Sequence, residues 1–439
     1  MSSSRRDFLK TSSIITASAA ALSMGVARSA HADGVDETIK AVLVGCGGRG
    51  RGAVANFKTN PNTELIACAD AFENNAKGVG LKEDATFWGF DGYRKAIDYA
   101  WENGARYAIL ASSPGFRPIH YKYAIEKGMN VFMEKPCCVD APGFKMLMEV
   151  NKLADEKNLK VGVGLQRHHQ DGYLAGYDEL IEEGKYGDLL AARVYWNGGG
   201  VWVRPKSETQ TEMDYQMRNW YYFNWLCGDN ICEQHVHNLD VGQWFLGAGK
   251  DPKGFHPVKA NAMGGREVRG RDGDPKFGEI FDHHYVEFTY ADGRKMYSQC
   301  RHIGGAWSNV SESVTGTKGE GGVTARNRDG KYKSGNPYDI EHTDLIAAIK
   351  ENKPYNEGWF AANSCMCAVL GRMASYSGQE VSWDDAVNKG AALMIYEGHD
   401  QLTMDSPAPV QPIEVDGKVT YRLAIPGQTS PFAGNNFGR

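Results

Sequence analysis

The chain has no apolar run of the roughly 18–20 residues that a bilayer crossing requires, so an integral membrane protein is not expected. It also lacks an excess of either charge: 49 Lys and Arg against 54 Asp and Glu give a net charge of −5. That balance leaves no basic stripe for nucleic acid. Zinc-spaced cysteine pairs are missing, and the nine cysteines are odd in number, which argues against a disulfide framework. Cys46 falls in a glycine-rich loop, Cys68 in an apolar strand, and Cys137 and Cys138 behind a Glu-Lys-Pro turn. They read as small buried hydrophobes, with a Cys227–Cys232 bridge left open. Internal repeats are absent, and 42% hydrophobic with 23% charged residues excludes disordered and fibrous classes. What 439 residues do allow is two or three domains with substantial cores.

The first 32 residues read as a targeting segment. Arg5-Arg6-Asp7-Phe8-Leu9-Lys10 is a twin-arginine pattern, Ile14 to Val26 a weakly apolar run, and Ala30-His31-Ala32 a small-x-small cleavage site. Cleavage after Ala32 and a periplasmic or secreted location follow as expectations, with the twin-arginine export machinery as a partner. That route carries proteins already folded.

Residues 35–160 alternate short apolar runs with amphipathic stretches, the mark of a parallel sheet covered on both faces by helices. Between 161 and 405 the texture changes. Ala192 to Trp196, Tyr285 to Tyr290 and Lys295 to Gln299 alternate with period two, and helices fall around Leu174, Val236, Asp339 and Ala361. The expected fold is a doubly wound α/β Rossmann domain followed by an α+β domain with an open, largely antiparallel sheet. Residues 406–439 read as an extended arm, and Gly264 to Lys276 as a surface loop. The exposed face of an open sheet needs covering, which predicts a homo-oligomer.

Four segments carry chemistry. Gly45-Cys46-Gly47-Gly48-Arg49-Gly50 follows an apolar strand and opens a helix, the context in which a GxGxxG loop seats a pyrophosphate on a helix N-terminus. Asp70 ends the next strand about twenty residues on, where a carboxylate holds a ribose 2′-hydroxyl and repels a 2′-phosphate, favouring NAD over NADP. Glu134-Lys135-Pro136 closes a later apolar strand, so Lys135 faces the ligand crevice and can polarise a hydroxyl. In Glu233-Gln234-His235-Val236-His237 a helix would set Glu233 and His237 at i and i+4, the carboxylate orienting a basic imidazole. His235 and His237 point apart on such a helix, so no metal site is expected. The adjacent His168 and His169 read as surface residues. Half of the ten tryptophans lie between Tyr195 and Trp244. Trp220, Tyr221 and Tyr222, with Arg218 beside them, would suit stacking on sugar rings.

Taken together these segments resemble the glucose–fructose oxidoreductase, inositol dehydrogenase and MocA (Gfo/Idh/MocA) family. The Rossmann half matches in order: the glycine loop, Ala69-Asp70-Ala71, Ala111 to His120, then Glu134-Lys135-Pro136. The resemblance implies that Ser113, His120, Glu134 and Lys135 line the cofactor, with Lys135 beside the nicotinamide and a cis peptide before Pro136. It places His237 on the family's catalytic base. Glu233 stands for the acidic partner, and His235 for a glycine, adding a polar ring near the site.

The implied reaction is hydride transfer between a carbohydrate secondary hydroxyl and NAD, with Lys135, His237 and Glu233 catalytic. An exported enzyme has no ready NAD pool, so the twin-arginine signal implies a resident cofactor restored in every cycle. A redox-neutral glycoside hydrolase (oxidation, elimination, hydration, reduction) would meet that requirement too. A non-catalytic sugar-binding protein is the third reading.

Overall fold

Strand β1 (Ile39–Val44) is buried almost throughout, because parallel strands covered on both faces have no solvent side. In the computed structural model, which describes residues 38–181, 184–270, 274–322 and 330–437, it lies inside a six-stranded sheet. The other members are β2 (Thr63–Asp70), β3 (Thr86–Trp88), β4 (Tyr107–Leu110), β5 (Asn130–Met133) and β6 (Val161–Val163). The order is β3-β2-β1-β4-β5-β6 and every pair is parallel. Strand order reverses between β1 and β4, which opens a crevice at their carboxyl ends. The twin-arginine segment and its cleavage site lie outside the described residues.

A second sheet holds β7 (Leu189–Gly198), β8 (Lys259–Gly265), β9 (His283–Thr289), β10 (Lys295–His302), β11 (Asn309–Gly316), β12 (Gly319–Gly322) and β13 (Val381–Ser382). It runs β12-β11-β7-β10-β9-β8-β13, antiparallel except where β7 meets β10. Along β9 and β10 buried and half-buried residues alternate. The inner face takes the helices Val236–Leu246 and Gly358–Ser377. Both approach closely through glycine: a Cβ at Gly242 would meet the Met296 sulfur at 2.4 Å, and one at Gly371 the Phe288 ring at 2.9 Å. On the other face Tyr195, Tyr285 and Tyr297 stay half-exposed and Met263 is 71% exposed.

The helix Pro337–Lys350, far downstream, returns to the first sheet. It lays Leu345, Ile346 and Ile349 into a core with Ala41, Leu43, Phe57, Tyr107, Ile109 and Phe132. The expected C-terminal arm forms a hairpin, β14 (Pro412–Val415) with β15 (Lys418–Tyr421), and buries Val410 and Tyr421 in the main core. Gly264 and Gly265 belong to β8 rather than to a loop, and Arg266 and Arg269 beyond them are buried, bonded to backbone carbonyls. All nine cysteines are buried and free, so Cys227 and Cys232 are not bridged.

Candidate active site

The crevice at the carboxyl ends of β1 and β4 is a cleft of about 460 Å³. Its floor is the glycine loop, and two of the glycines have internal reasons to be glycine. Gly45 has φ +97°, and a Cβ there would lie 2.3 Å from the Ser112 amide; a Cβ on Gly50 would lie 1.8 Å from the Gly45 carbonyl oxygen. A Cβ on Gly47 or Gly48 meets nothing within 4 Å. Those two glycines face open space at the start of the helix Gly48–Phe57, which has no side-chain cap and no acidic residue in its first turn. Free amides of this kind, at a positive helix end, fit a pyrophosphate.

Asp70 fixes the loop. Its carboxylate accepts from the Cys46 amide (2.7 Å), the Phe72 amide (2.9 Å) and the Asn75 side chain (3.1 Å). Burial raises its pKa, opposed by those donors and by the nearby Arg218 charge. Ser113 and His120 line the same cleft. His120 is pushed down to about 3 by burial and then by His399 and Arg117, so its ring is neutral. Its Nδ1 meets the Ser112 hydroxyl at 3.0 Å. Arg49 lines the cleft but turns its guanidinium to Glu134 and Glu341 and over the Tyr338 ring. The expected cofactor residue Glu134 thus anchors an arginine.

The outer wall comes from the other sheet's segment: Trp202, Arg204, Met217 and Trp220. Arg218 sets its guanidinium 4.1 Å from the Phe72 ring centroid, across the mouth. Trp220 and Arg218, read from sequence as sugar contacts, therefore sit at the nucleotide cleft. Tyr222 donates its hydroxyl to the Val201 carbonyl and packs in the core. Phe72 and Arg204 were not singled out in the sequence, though Phe72 carried a signal, two residues past Asp70; Trp202 stood out only as one of the rings of the aromatic-rich stretch.

Lys135 lies just beyond the end of β5, behind a cis peptide to Pro136. Buried Arg117 donates to the Pro136 carbonyl and to the Ser112 carbonyl, tying the turn after β5 to the loop after β4. The Lys135 ammonium donates to the Glu233 carboxylate at 3.1 Å and to the Glu233 backbone carbonyl. Both side chains are about one-seventh exposed (14% and 15%). Glu233 ends the short helix Asn230–Glu233, and the helix carrying His237 starts only at Val236. The i, i+4 relation is therefore broken, and Glu233 holds Lys135 instead of orienting His237.

His237 is buried and lies 6.0 Å from Trp196, ring to ring, nearly parallel. Burial, then the charges of Lys135, Arg167, Arg49 and His235, drive its pKa well below the ordinary imidazole value. Its Nδ1 has no partner. The buried Tyr221 hydroxyl likewise has no hydrogen-bond partner of good geometry, and burial, then the Glu233 charge, push its pKa well above the ordinary tyrosine value. The Lys135–Glu233 pair thus stands beyond the end of β5, its charges acting on His237 and Tyr221; none of the four lines the nucleotide cleft itself. His235 does not join them: its Nε2 meets Ser298 of β10 at 2.8 Å and its ring is wholly buried, held neutral by burial at a pKa of about 3. His168 and His169 are also inside. His169 bridges Asp344 (2.7 Å) and Glu357 (3.0 Å), and their charges overcome its burial to raise its pKa to about 10.

Residues 39–165 match the family model described as an oxidoreductase family with an NAD-binding Rossmann fold, GFO_IDH_MocA. The inositol 2-dehydrogenase of Burkholderia cenocepacia is 27% identical over 218 residues, covering 48% of this chain and 55% of that protein. That of Pseudomonas fluorescens is 28% identical over 215 residues, with the same coverage. The chain spans about half the length of the curated relatives it matches. Among solved structures, scyllo-inositol dehydrogenase from Lactobacillus casei with bound NAD(H) and scyllo-inositol superposes with a TM-score of 0.59 at 20% identity, over 79% of this chain and all of that one. Aldose-aldose oxidoreductase from Caulobacter crescentus does so at 0.59 and 15% identity, over 79% and 99%. At these identities the structural likeness establishes the two-sheet fold.

Proposed function

We propose that this chain, a member of the Gfo/Idh/MocA oxidoreductases through its NAD-binding domain, oxidises a secondary hydroxyl of a sugar or cyclic polyol. The observation that carries the reading is the Lys135–Glu233 pair beyond the end of β5, with its ammonium charge acting on an unpartnered, neutral His237. NAD, when bound, supplies the hydride acceptor. Gly47 and Gly48 would give its pyrophosphate room, and Asp70, on the wall of the same cleft, would take its ribose.

The chain's own residues handle the proton and the charge. His237 accepts the hydroxyl proton at Nε2; neither ring nitrogen has a hydrogen-bond partner among the described residues, and Nδ1 is the enclosed one. Lys135 stabilises the oxyanion that develops as the proton leaves. Glu233 fixes the ammonium in place, and Tyr221 offers a hydroxyl to the substrate. Sealed among aromatic side chains, these charges act more strongly than they would in water.

The wall of Trp202, Arg204, Met217 and Trp220, with Arg218 against Phe72, supports retention of the cofactor between turnovers. The Arg5-Arg6 segment supports export of the loaded enzyme. The open face carrying Tyr195, Tyr285, Tyr297 and Met263 supports a homo-oligomer.

The test is NADH formation by the purified protein across inositols, aldoses and their glycosides, for wild type and His237→Ala. The variant should hold NAD as wild type does and lose about 10²–10⁴-fold in kcat. Undiminished turnover removes His237 from the mechanism. Release of aglycone without net NADH would instead establish redox-neutral hydrolysis.

A further inference from the structure

A second cleft, of about 260 Å³, lies along the C-terminal half of the helix Val236–Leu246. Asp240, Gln243, Trp244 and Gly247 line it at helical spacing, facing Phe360, Asn363 and Ser364 of the helix Gly358–Ser377. His168, Tyr177, Lys250, Pro252 and Phe255 complete it. None of its residues lines the nucleotide cleft, and Lys135, Glu233 and His237 are not among them.

Its polar groups are chained together beneath a stack of rings. Asp240 accepts from Ser364 at 2.9 Å and meets His168 Nε2 at 2.7 Å; Gln243 donates to the Ser364 hydroxyl at 3.1 Å. The imidazole of His168 is stacked between Trp244 (4.2 Å) and Phe360 (4.3 Å), and Tyr177 stacks on Trp244 (4.8 Å). Every rotor in this chain is set by a neighbour.

What the chain leaves over is directed at a ligand. Gln243 is 5% exposed, its amide nitrogen is committed to Ser364, and its Oε1 is buried with no partner. With Nε2 held by Asp240, His168 keeps Nδ1 without a partner among the described residues. The Trp244 indole N–H and the Tyr177 hydroxyl, on half-buried side chains that line the cleft, have no protein partner among the described residues, so donors are left over as well. A buried amide oxygen is rarely left unmatched without a missing partner. A free amide oxygen, a free imidazole nitrogen and two free donors on one small cleft match hydroxyls, which both donate and accept. The volume is below the roughly 300–1,000 Å³ of sites for drug-sized ligands. It therefore suits one small ring.

We propose that this cleft is a second binding site, separate from the redox centre, for a single uncharged, hydroxyl-bearing ring such as a monosaccharide unit or cyclic polyol. The ring is held by Gln243 Oε1, His168 Nδ1, the Trp244 indole N–H and the Tyr177 hydroxyl. It does not depend on which compound is oxidised.

Titrations of the NAD-bound protein with D-glucose, N-acetylglucosamine, myo-inositol and D-glucuronate, followed by saturation-transfer NMR, test this. The variants are Trp244→Phe, which keeps the ring stack and removes only the donor, Gln243→Met, and His237→Ala for the redox site. Bound NAD and thermal melting report that each variant is folded. Wild type should bind at least one of the rings at a site that survives His237→Ala. Trp244→Phe and Gln243→Met should each weaken that site tenfold or more. Identical isotherms for wild type and both cleft variants would overturn the proposal, as would binding confined to glucuronate through Lys250, or no site that survives His237→Ala. A chain that fails to form NADH yet shows the second site loses the proposed activity and keeps this one.

Discussion

The nucleotide cleft and the Lys135 cluster sit along one edge of the same parallel sheet, yet they are built from opposite materials. The cleft is made of backbone: Gly45 in the left-handed region, Gly50 pressed against the Gly45 carbonyl, and two amides held on Asp70. The Lys135 cluster is made of side chains from remote segments, joined by one ion pair and a shared burial. A backbone site tolerates almost no added atoms but needs few particular side chains. A side-chain site tolerates changes of shape but fails when one charge is removed.

The sharpest way to break that contrast is at Gly50. Gly50→Ala drives a methyl into the Gly45 carbonyl and should cost more than about 3 kcal/mol, the upper range of ordinary overpacking. NAD binding should disappear along with the cooperative thermal melt. Full NAD binding by this variant would show that the loop relaxes and that its geometry is not what makes the cleft. Lys135→Met is the complementary experiment, expected to lower kcat by about 10²–10³-fold with NAD still bound. If it released NAD instead, the ammonium would belong to the cofactor site and the two regions would be one.

Smaller effects refine the boundary. Trp220→Ala opens the outer wall of the cleft and should speed NAD release about tenfold, the rate change carried by 1.4 kcal/mol. Release is measured by trapping free NAD after dilution, and an unchanged rate would make the wall a bystander. The mildest readout is the acid limb of kcat/KM. His237 is depressed well below its ordinary value, so it stays unprotonated as the pH falls through about 6.5, where an ordinary imidazole would be half charged. Activity should remain level through that point and fall only at lower pH. A limb centred at 6.5 or above would mean that His237 is hydrated rather than buried when substrate binds.

The same contrast explains how far the sequence could be read. The glycine loop, Asp70 and the Glu-Lys-Pro turn were legible because their spacing is local and their backbone demands are met by particular residue types. In the first sheet β1, β2, β4, β5 and β6, and in the second β7, β9 and β10, were legible from period and length; β3, β8, β12 and β13 were not. Glu233 was assigned to the wrong partner because the helix breaks at Gln234 and His235, a short interruption that residue spacing does not reveal. His168 and His169 read as surface because nothing local announces Asp240, Asp344 and Glu357, which approach from distant segments. The tryptophan-rich segment suggested sugar stacking by composition alone. Where Trp220 points depends on the docking of two sheets.

The helix Pro337–Lys350 has a consequence for the order in which the molecule comes into being. A ribosome delivers all six strands of the Rossmann sheet long before it delivers Leu345, Ile346 and Ile349. Until then Ala41, Leu43, Ile109 and Phe132 lack part of their cover. The nascent sheet is therefore an incomplete, aggregation-prone intermediate that must wait for its own distal chain. A fragment ending near residue 165 should not behave as an independent domain, and NAD arriving during synthesis would meet a finished loop on an unfinished sheet.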